Sequence, residues 1–347
     1  NGTDWVVGGF NISLGAGAGE YDQQGGAVAI GYHAGYTGQQ SQAIAFGYQA
    51  GNDGQQGNAV AIGNAAGNIG QKGNAVAIGT SAGNTGQQDY AVAFGYQAGY
   101  DGQQSYAVAI GYSAGYTGQK GGAVAIGNNA GNVGQQSQAV AIGYNAGQMG
   151  QKGGAVAIGY NAANSSQGEN AIAIGNQAAP SSQSAGSIVL NASGTALNAG
   201  NTGFALGYHA GRDGQKEYAV ALGYQAGSNS QQSLAVAFGH QAGYTGQQGY
   251  AVAIGHQAGH DGQQGSAVAI GTAAGSINQG SNAIAIGNLA APTSQAAYSI
   301  VLNASGAQLN AGNTGCFINP IRPGAGGVGF GVLYYDPSTC EIRYSTN

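Results

Sequence analysis

Ala27-Val28-Ala29-Ile30-Gly31 returns as Ala43-Ile44-Ala45-Phe46-Gly47 and again as Ala59-Val60-Ala61-Ile62-Gly63. The step is sixteen positions each time, and it keeps phase from Asn11-Ile12-Ser13-Leu14-Gly15 to Gly315 without an insertion. Counting the unit from the first residue of these pentads, slots 2 and 4 hold Val, Ile, Leu or Phe nearly everywhere, while slots 1 and 3 are small. That alternation has period two, the mark of a strand with two unlike faces. Slot 5 is usually Gly, slot 8 Ala, slot 12 Gly and slot 13 Gln, as in Gln39, Gln55 and Gln71. Each unit therefore reads as a bulky strand, a tight turn, a short thin strand and a Gly/Gln turn.

One such unit cannot bury its apolar face, but stacked units can. Equal units in one register predict parallel strands paired from coil to coil, an all-β parallel β-solenoid of about 20 coils. At about 4.8 Å per coil the rod is roughly 95 Å long. A helical reading fails, because the glycines would cost about 1 kcal/mol each in helix interiors. The aliphatic pair is expected to turn inward, which makes Val28, Ile30, Val60, Ile62, Val92, Phe94, Ile172 and Ile174 the structural core. The slot-13 glutamines should stack into a ladder whose amides bond along the axis. Only the Ala of slot 8 stands opposite the Val/Ile row, so the core is thin. A lateral homo-oligomer is expected on that ground alone.

A longer repeat lies over the short one. Ser187-Ile188-Val189-Leu190-Asn191-Ala192-Ser193-Gly194 returns seven units later as Ser299-Ile300-Val301-Leu302-Asn303-Ala304-Ser305-Gly306. This divides the chain into an N-terminal extension (1–10), a first block (11–202), a second block (203–315) and a C-terminal cap (316–347). In the cap, Val332–Tyr335 and Glu341–Tyr344 around Asp336-Pro337-Ser338-Thr339 read as a hairpin. Trp5, Val6, Val7 and Phe10 are placed to cover the first coil, where an open edge invites aggregation.

Composition narrows the function. Seven Lys+Arg against twelve Asp+Glu leave a net charge of −5, so the basic footprint of a nucleic-acid binder is missing. No run approaches the ~18 consecutive apolar residues of a spanning helix, so membrane insertion is not expected. Seventy glycines, about one residue in five, would suggest disorder if they were not periodic. The chain opens Asn1-Gly2-Thr3 without a signal peptide and reads as a processed or excised segment.

The string Ala-Val-Ala-Ile-Gly-x-x-Ala, as in 59–66 and 155–162, resembles the head repeat of trimeric autotransporter adhesins of the YadA type. The resemblance covers roughly residues 11–315. It implies a left-handed β-roll, three chains side by side and surface adhesion. That family usually has a 14-residue unit, so one turn here should be longer. Phe317-Ile318-Asn319-Pro320-Ile321-Arg322 and the hairpin segment are similar to the stretch that joins phage and large-virus fibre shafts to an intramolecular chaperone. In those proteins the chaperone trimerises the fibre and cuts itself off. An end at Asn347 fits such a cut, and fits a truncation equally.

Little else points to chemistry. No phosphate-binding loop occurs, and no cofactor, metal site or catalytic residue is assigned. His240 and His256 share slot 6 in adjacent coils, either as a metal- or pH-sensing ladder or as two substitutions at a variable turn slot. Asp53, Asp101, Asp213 and Asp261 all precede the slot-12 Gly and read as turn residues. Lys72, Lys120, Lys152 and Lys216 share slot 14 and read as a solubilising flank. Tyrosine is the one suggestive excess, with 21 copies. Tyr32, Tyr48, Tyr96, Tyr112, Tyr144, Tyr160, Tyr208 and Tyr224 occupy slot 6, where they could face a glycan or pack between chains. Cys316 and Cys340 are a candidate disulfide or buried free thiols. Asn191 and Asn303 are candidate N-glycosylation sites in turn slots.

The expected function is a non-enzymatic homotrimeric fibre, extracellular on a virion or cell surface, which attaches multivalently to a host glycan or receptor. The alternative is a purely structural filament subunit that polymerises end to end. An ice-binding solenoid needs a regular Thr array, and slot 11 mixes Thr37, Thr85 and Thr117 with Asp and Ile.

Overall fold

The computed structural model describes residues 10–191 and 203–321 and, as backbone, 332–336 and 341–345. Trp5, Val6, Val7 and Cys340 lie outside the described residues. Twenty short strands, β1 (Ile12–Leu14) through β20 (Cys316–Asn319), make one parallel sheet. Each strand pairs with the stretch sixteen positions on, as in Ile12↔Val28, Ser13↔Ala29 and Leu14↔Ile30. The chain is a β-solenoid in which each coil is one repeat of the sequence. The sheet runs unbroken across the block boundary, where Ile188 pairs with Phe204 and Leu190 with Leu206. Backbone bonds leave each coil in both directions: Val28 N–H donates to Ala43 C=O at 2.9 Å, and Gly31 N–H to Leu14 C=O at 2.8 Å. The expected thin strand shrinks to one bridged residue per coil at slot 11, as in Thr37↔Asp53 and Asp53↔Ile69. The expected C-terminal hairpin is present: β21 (Val332–Asp336) pairs antiparallel with β22 (Glu341–Ser345).

The core is the reverse of the expected one. The slot-1, slot-3 and slot-8 alanines, such as Ala59, Ala61 and Ala66, are fully buried. Val28, Ile30, Val60, Ile62, Val92 and Ile172 are only half-buried, and Phe94 and Ile174 are exposed at 52% and 39%. The aliphatic pair lies on the outer face of the single chain. The largest fully buried side chains are instead the slot-13 glutamines. So short a coil encloses room for alanine methyls and one amide per rung, and the branched side chains are left outside.

Apart from Gln215 Oε1, the buried slot-13 amides are fully used. Gln39 Nε2 donates to Val28 C=O at 2.9 Å, to Ala43 C=O at 3.3 Å and to Gln55 Oε1 at 3.0 Å. Two hydrogens serve three acceptors, so one is shared. The same set recurs at Gln55, Gln71, Gln87 and onward to Gln167, which donates to Gln183. A second ladder runs from Gln215 to Gln295. Backbone carbonyls can only accept, so each NH2 must face them and the ladder runs one way. A buried amide left unpaired costs several kcal/mol, and here the stacking itself supplies its partners.

Two glycines make room for this arrangement. Gly67 in slot 9 has φ +50°, and a Cβ there would lie 2.6 Å from Gln71 Oε1. Gly63 in slot 5 has φ +128°, and its Cβ would lie 2.6 Å from the carbonyl oxygen of Gly79 on the next coil. The turns at slots 7 and 16 also hold left-handed φ, but with ordinary residues such as Gln49 (51°), Ala65 (52°), Asn58 (60°) and Tyr90 (58°). Their N–H groups are bonded to the preceding coil, as Gln49 N–H is to Tyr32 C=O at 2.8 Å. Where the ladder stops, the core refills: Ala311 replaces slot-13 Gln, and Val301 replaces slot-3 Ala, both fully buried.

Phe10, expected over the first coil, is 92% exposed and covers nothing. The first ladder has another cap. Gln23 Oε1, which has no glutamine before it, accepts from Ser13 Oγ at 2.7 Å. Among the described residues the second ladder has no such cap, and Gln215 Oε1 is buried without a partner there.

Gly63→Ala is expected to lower stability by about 3 kcal/mol or more, through strain and the contact with Gly79. Gly70→Ala, also at positive φ but with open space at its Cβ, should lose only about 1 kcal/mol. Urea denaturation of both variants checks the difference, and equal losses would remove the coil-to-coil contact as the cause. Gln119→Leu leaves Gln103 Nε2 one acceptor short and Gln135 Oε1 without its donor. A loss of about 2–4 kcal/mol is expected in the same measurement.

Candidate functional site

The surface is built of parallel columns, because every slot repeats one rung above itself. Slots 2 and 4 make the longest apolar column. It includes Ile44, Phe46, Phe94, Phe238, Ile286 and Ile318, exposed between 38% and 52%. Continuous apolar surface of this kind is unusual on a monomeric soluble protein. Cys316 occupies slot 2 of the last coil, exposed and paired with Ile300 within this column. A shallow apolar depression of about 370 Å³ lies at the same end, between Ile286, Leu302 and Ile318.

The slot-6 tyrosines are all brought into pairs. Ring centroids lie 5.2 Å apart for Tyr32–Tyr48, 4.9 Å for Tyr96–Tyr112, 5.2 Å for Tyr144–Tyr160 and 5.0 Å for Tyr208–Tyr224, with interplanar angles of 6–14°. Two coplanar rings cannot sit edge to edge at that distance, so each pair is an offset face-to-face stack. The inner faces are closed, and further faces are covered where His33 stacks on Tyr32, His209 on Tyr208 and His240 on Tyr224. A sugar could lie only against an outer face that no histidine covers. A further column was missed in the sequence: Tyr90 and Tyr106 in slot 16 stack at 5.2 Å and 2°. The signal was available, since any two aromatics one repeat apart must meet on neighbouring rungs.

Slot 10 divides by residue type. Asn52, Asn68 and Asn84 each donate back to the slot-7 carbonyl of the preceding coil at 2.9–3.1 Å. Tyr100 and Tyr116 stack there at 4.9 Å. At the first coils Tyr21 meets Tyr36 edge-on at 5.1 Å. A hydrogen bond to Tyr36, reinforced by Glu20, pushes the Tyr21 hydroxyl up to about 12.

Among the described residues the charged side chains meet in adjacent pairs rather than in clusters. The four aspartates take the bridged slot-11 position with turn residues on both sides, as Asp53 has in Asn52 and Gly54. Asp213 pairs with Arg212 Nε at 2.7 Å and Asp261 with His260 Nδ1 at 2.9 Å, both on the surface. Among the described residues no three of His, Cys, Asp and Glu converge. A groove of about 400 Å³ runs past Gly86, Gln88, Gly102, Gln104, Ser105 and Gly121. Neither an imidazole nor a carboxylate lines it beside Ser105. No helix of the described residues is long and apolar enough to cross a membrane.

Both glycosylation candidates are corrected. Asn191 is 4% exposed and donates through Nδ2 to Asn176 C=O at 2.7 Å. Asn303 is 3% exposed, with Nδ2 bonded to the carbonyls of Asn288 at 2.8 Å and Ala307 at 2.6 Å. Its Oδ1 accepts from Ser305 N–H at 3.1 Å and Ser305 Oγ at 2.7 Å. The Asn303 amide closes the turn that follows it, and a glycan on either Asn would have to break the bonds its amide makes. The turn slot was legible in the sequence, but the inward aim of its side chain was not.

Compared with known protein families, characterised proteins and solved structures, the chain gives no match.

Asn303→Asp would set a carboxylate against the carbonyl oxygens of Asn288, Leu289 and Ala307 and is expected to cost about 3 kcal/mol locally. Hydrogen exchange should show faster exchange at Ala304 and Leu309 N–H. Unchanged protection there would mean that the amide does not hold the turn.

Proposed function

We propose that the chain is a non-enzymatic fibre shaft, assembled side by side with two copies of itself and displayed outside a cell or virion. The observation that carries this reading is the slot-2/slot-4 column, an apolar stripe along the outside of a rod whose interior is already filled. Burying it against identical stripes removes apolar surface from water over many coils at once, each contact being weak alone. The repeat's resemblance to the adhesin head supports three copies and a left-handed roll. Stacked tyrosines, ring edges outward, then offer flanks for packing between chains, and a repetitive rod would bind a host glycan or receptor through avidity rather than through one tight site.

A second reading rests on the first coil. All three residues of β1 are exposed, with Ile12 at 53% and Leu14 at 45%. Among the described strands β1 pairs only with β2 (Val28–Ile30). An open edge of this kind suits end-to-end growth into filaments.

Light scattering on the purified chain should give three times the 33.8 kDa of one chain. Ile110→Asp, in the column, should reduce that mass to a single chain without changing the β signal. Thr85→Asp, in slot 11, should leave it intact. A monomeric wild-type chain would overturn the shaft reading, and unbounded mass with filaments under the electron microscope would favour the second.

A further inference from the structure

The slot-6 column alternates tyrosine pairs with Asn or Thr, and in one stretch it carries imidazoles. After Tyr208 and Tyr224 it passes to His240 and His256 on successive coils, then ends at Thr272. The rings continue the stack, Tyr224–His240 at 4.8 Å and 8°, His240–His256 at 5.0 Å and 16°. Both histidines are exposed, and the pairing Val236↔Val252 holds their coils in register.

The other three histidines are engaged elsewhere. His33 is sandwiched between Tyr32 and Tyr36, at 4.0 and 4.4 Å. His209 lies on Tyr208, with Nδ1 3.3 Å from Arg212; burial first, and that guanidinium second, lower its pKa. His260 is stacked on Tyr244 and paired with Asp261. The ring nitrogens of His240 and His256 bond to no group among the described residues.

We propose that His240 and His256 form a two-imidazole site for a borderline divalent transition metal, with copper(II) held most tightly. Neutral imidazole is a ligand of choice for such ions, and the order of affinities among them peaks at copper. In the stack the two ring planes are nearly parallel, so the lone pairs point the same way from rings one rung apart. Metal–nitrogen bonds of about 2.0–2.1 Å bring two cis nitrogens to about 3 Å of each other. The ring tips must therefore close by about 2 Å, which two exposed side chains achieve through χ1 and χ2 while the backbone ladder stays fixed. No third protein ligand converges there, so water fills the remaining positions. The second imidazole binds intramolecularly, at a high effective concentration set by the rigid sheet. A bound ion would clip one coil to the next on the outside of the rod. This site does not depend on the number of chains in the fibre.

The test is a calorimetric titration of the full chain with copper(II) in a non-coordinating buffer, with electron paramagnetic resonance of the loaded protein. One ion per chain is expected, with a spectrum showing two nitrogen ligands. His240→Gln or His256→Gln should each weaken binding about tenfold or more, and the double variant should abolish it. The pair His33→Gln and His260→Gln should bind like wild type. Circular dichroism melts confirm that these surface variants fold. Undiminished binding by the double variant, a one-nitrogen spectrum, or loss of binding on removing His260 would each overturn the site.

Discussion

A column of glutamine amides inside a tube lined with alanine is the constraint on which the rest of this molecule depends. A polar side chain with no access to water is tolerated only when its hydrogens and lone pairs are taken up. Here each slot-13 amide is taken up by its own coil and by the next one, as Gln71 is by Val60 C=O, Ala75 C=O and Gln87 Oε1. The first bond crosses its own coil, and the other two reach the next coil and set the distance and register between coils. Cross-section and stacking are thereby fixed by one residue per turn. Gly67 keeps its place because a methyl there would occupy the space of the Gln71 amide, and the slot-3 and slot-8 alanines because nothing larger fits beside it.

The ladder also explains its own exceptions. In the coil before the last the glutamine is replaced by Ala311, and Val301 stands where most coils have alanine. Volume lost at one wall is returned at the other, as a close-packed interior requires. The two coils that carry this motif also exchange the slot-5 Gly for Asn191 or Asn303, whose amides bond backbone carbonyls as the glutamines do. At Gln215 the rule is broken, and its Oε1 remains buried without a donor.

With the inside occupied, the branched and aromatic side chains have only the outside. The result is a rod sorted into columns: aliphatic at slots 2 and 4, aromatic at slots 6 and 16, mixed at slot 11. The spacing of about 4.8 Å between rungs governs what each column can do. It suits offset stacking of rings, which is why tyrosines one repeat apart pair and why histidines do the same. It also means that any property of one rung is offered again on the next, the condition for many weak contacts to act together.

The sixteen-residue step, the strands at slots 2–4, their parallel in-register pairing, the stacked glutamines and the C-terminal hairpin were all legible in the amino-acid sequence. Each is a consequence of periodicity or local turn chemistry, and periodicity survives in one dimension. The sequence did not reveal which face of the strand is inner. Alternation in Ala59-Val60-Ala61-Ile62 separates two faces without ranking them. The usual rule, bulky apolar residues inside, ranks them wrongly here, because a coil this narrow has no volume for Val60 and Ile62. The same holds for Asn303, whose place in a turn was readable but whose inward aim depends on carbonyls brought near it by other coils. The left-handed turns at Gln49 and Tyr90 also needed the neighbouring coil, since their bonds run to it. Sequence determined the repeat and its pairing; closure of the coil in three dimensions decided what it encloses, because enclosed volume is a property of the whole turn and of no single residue in it.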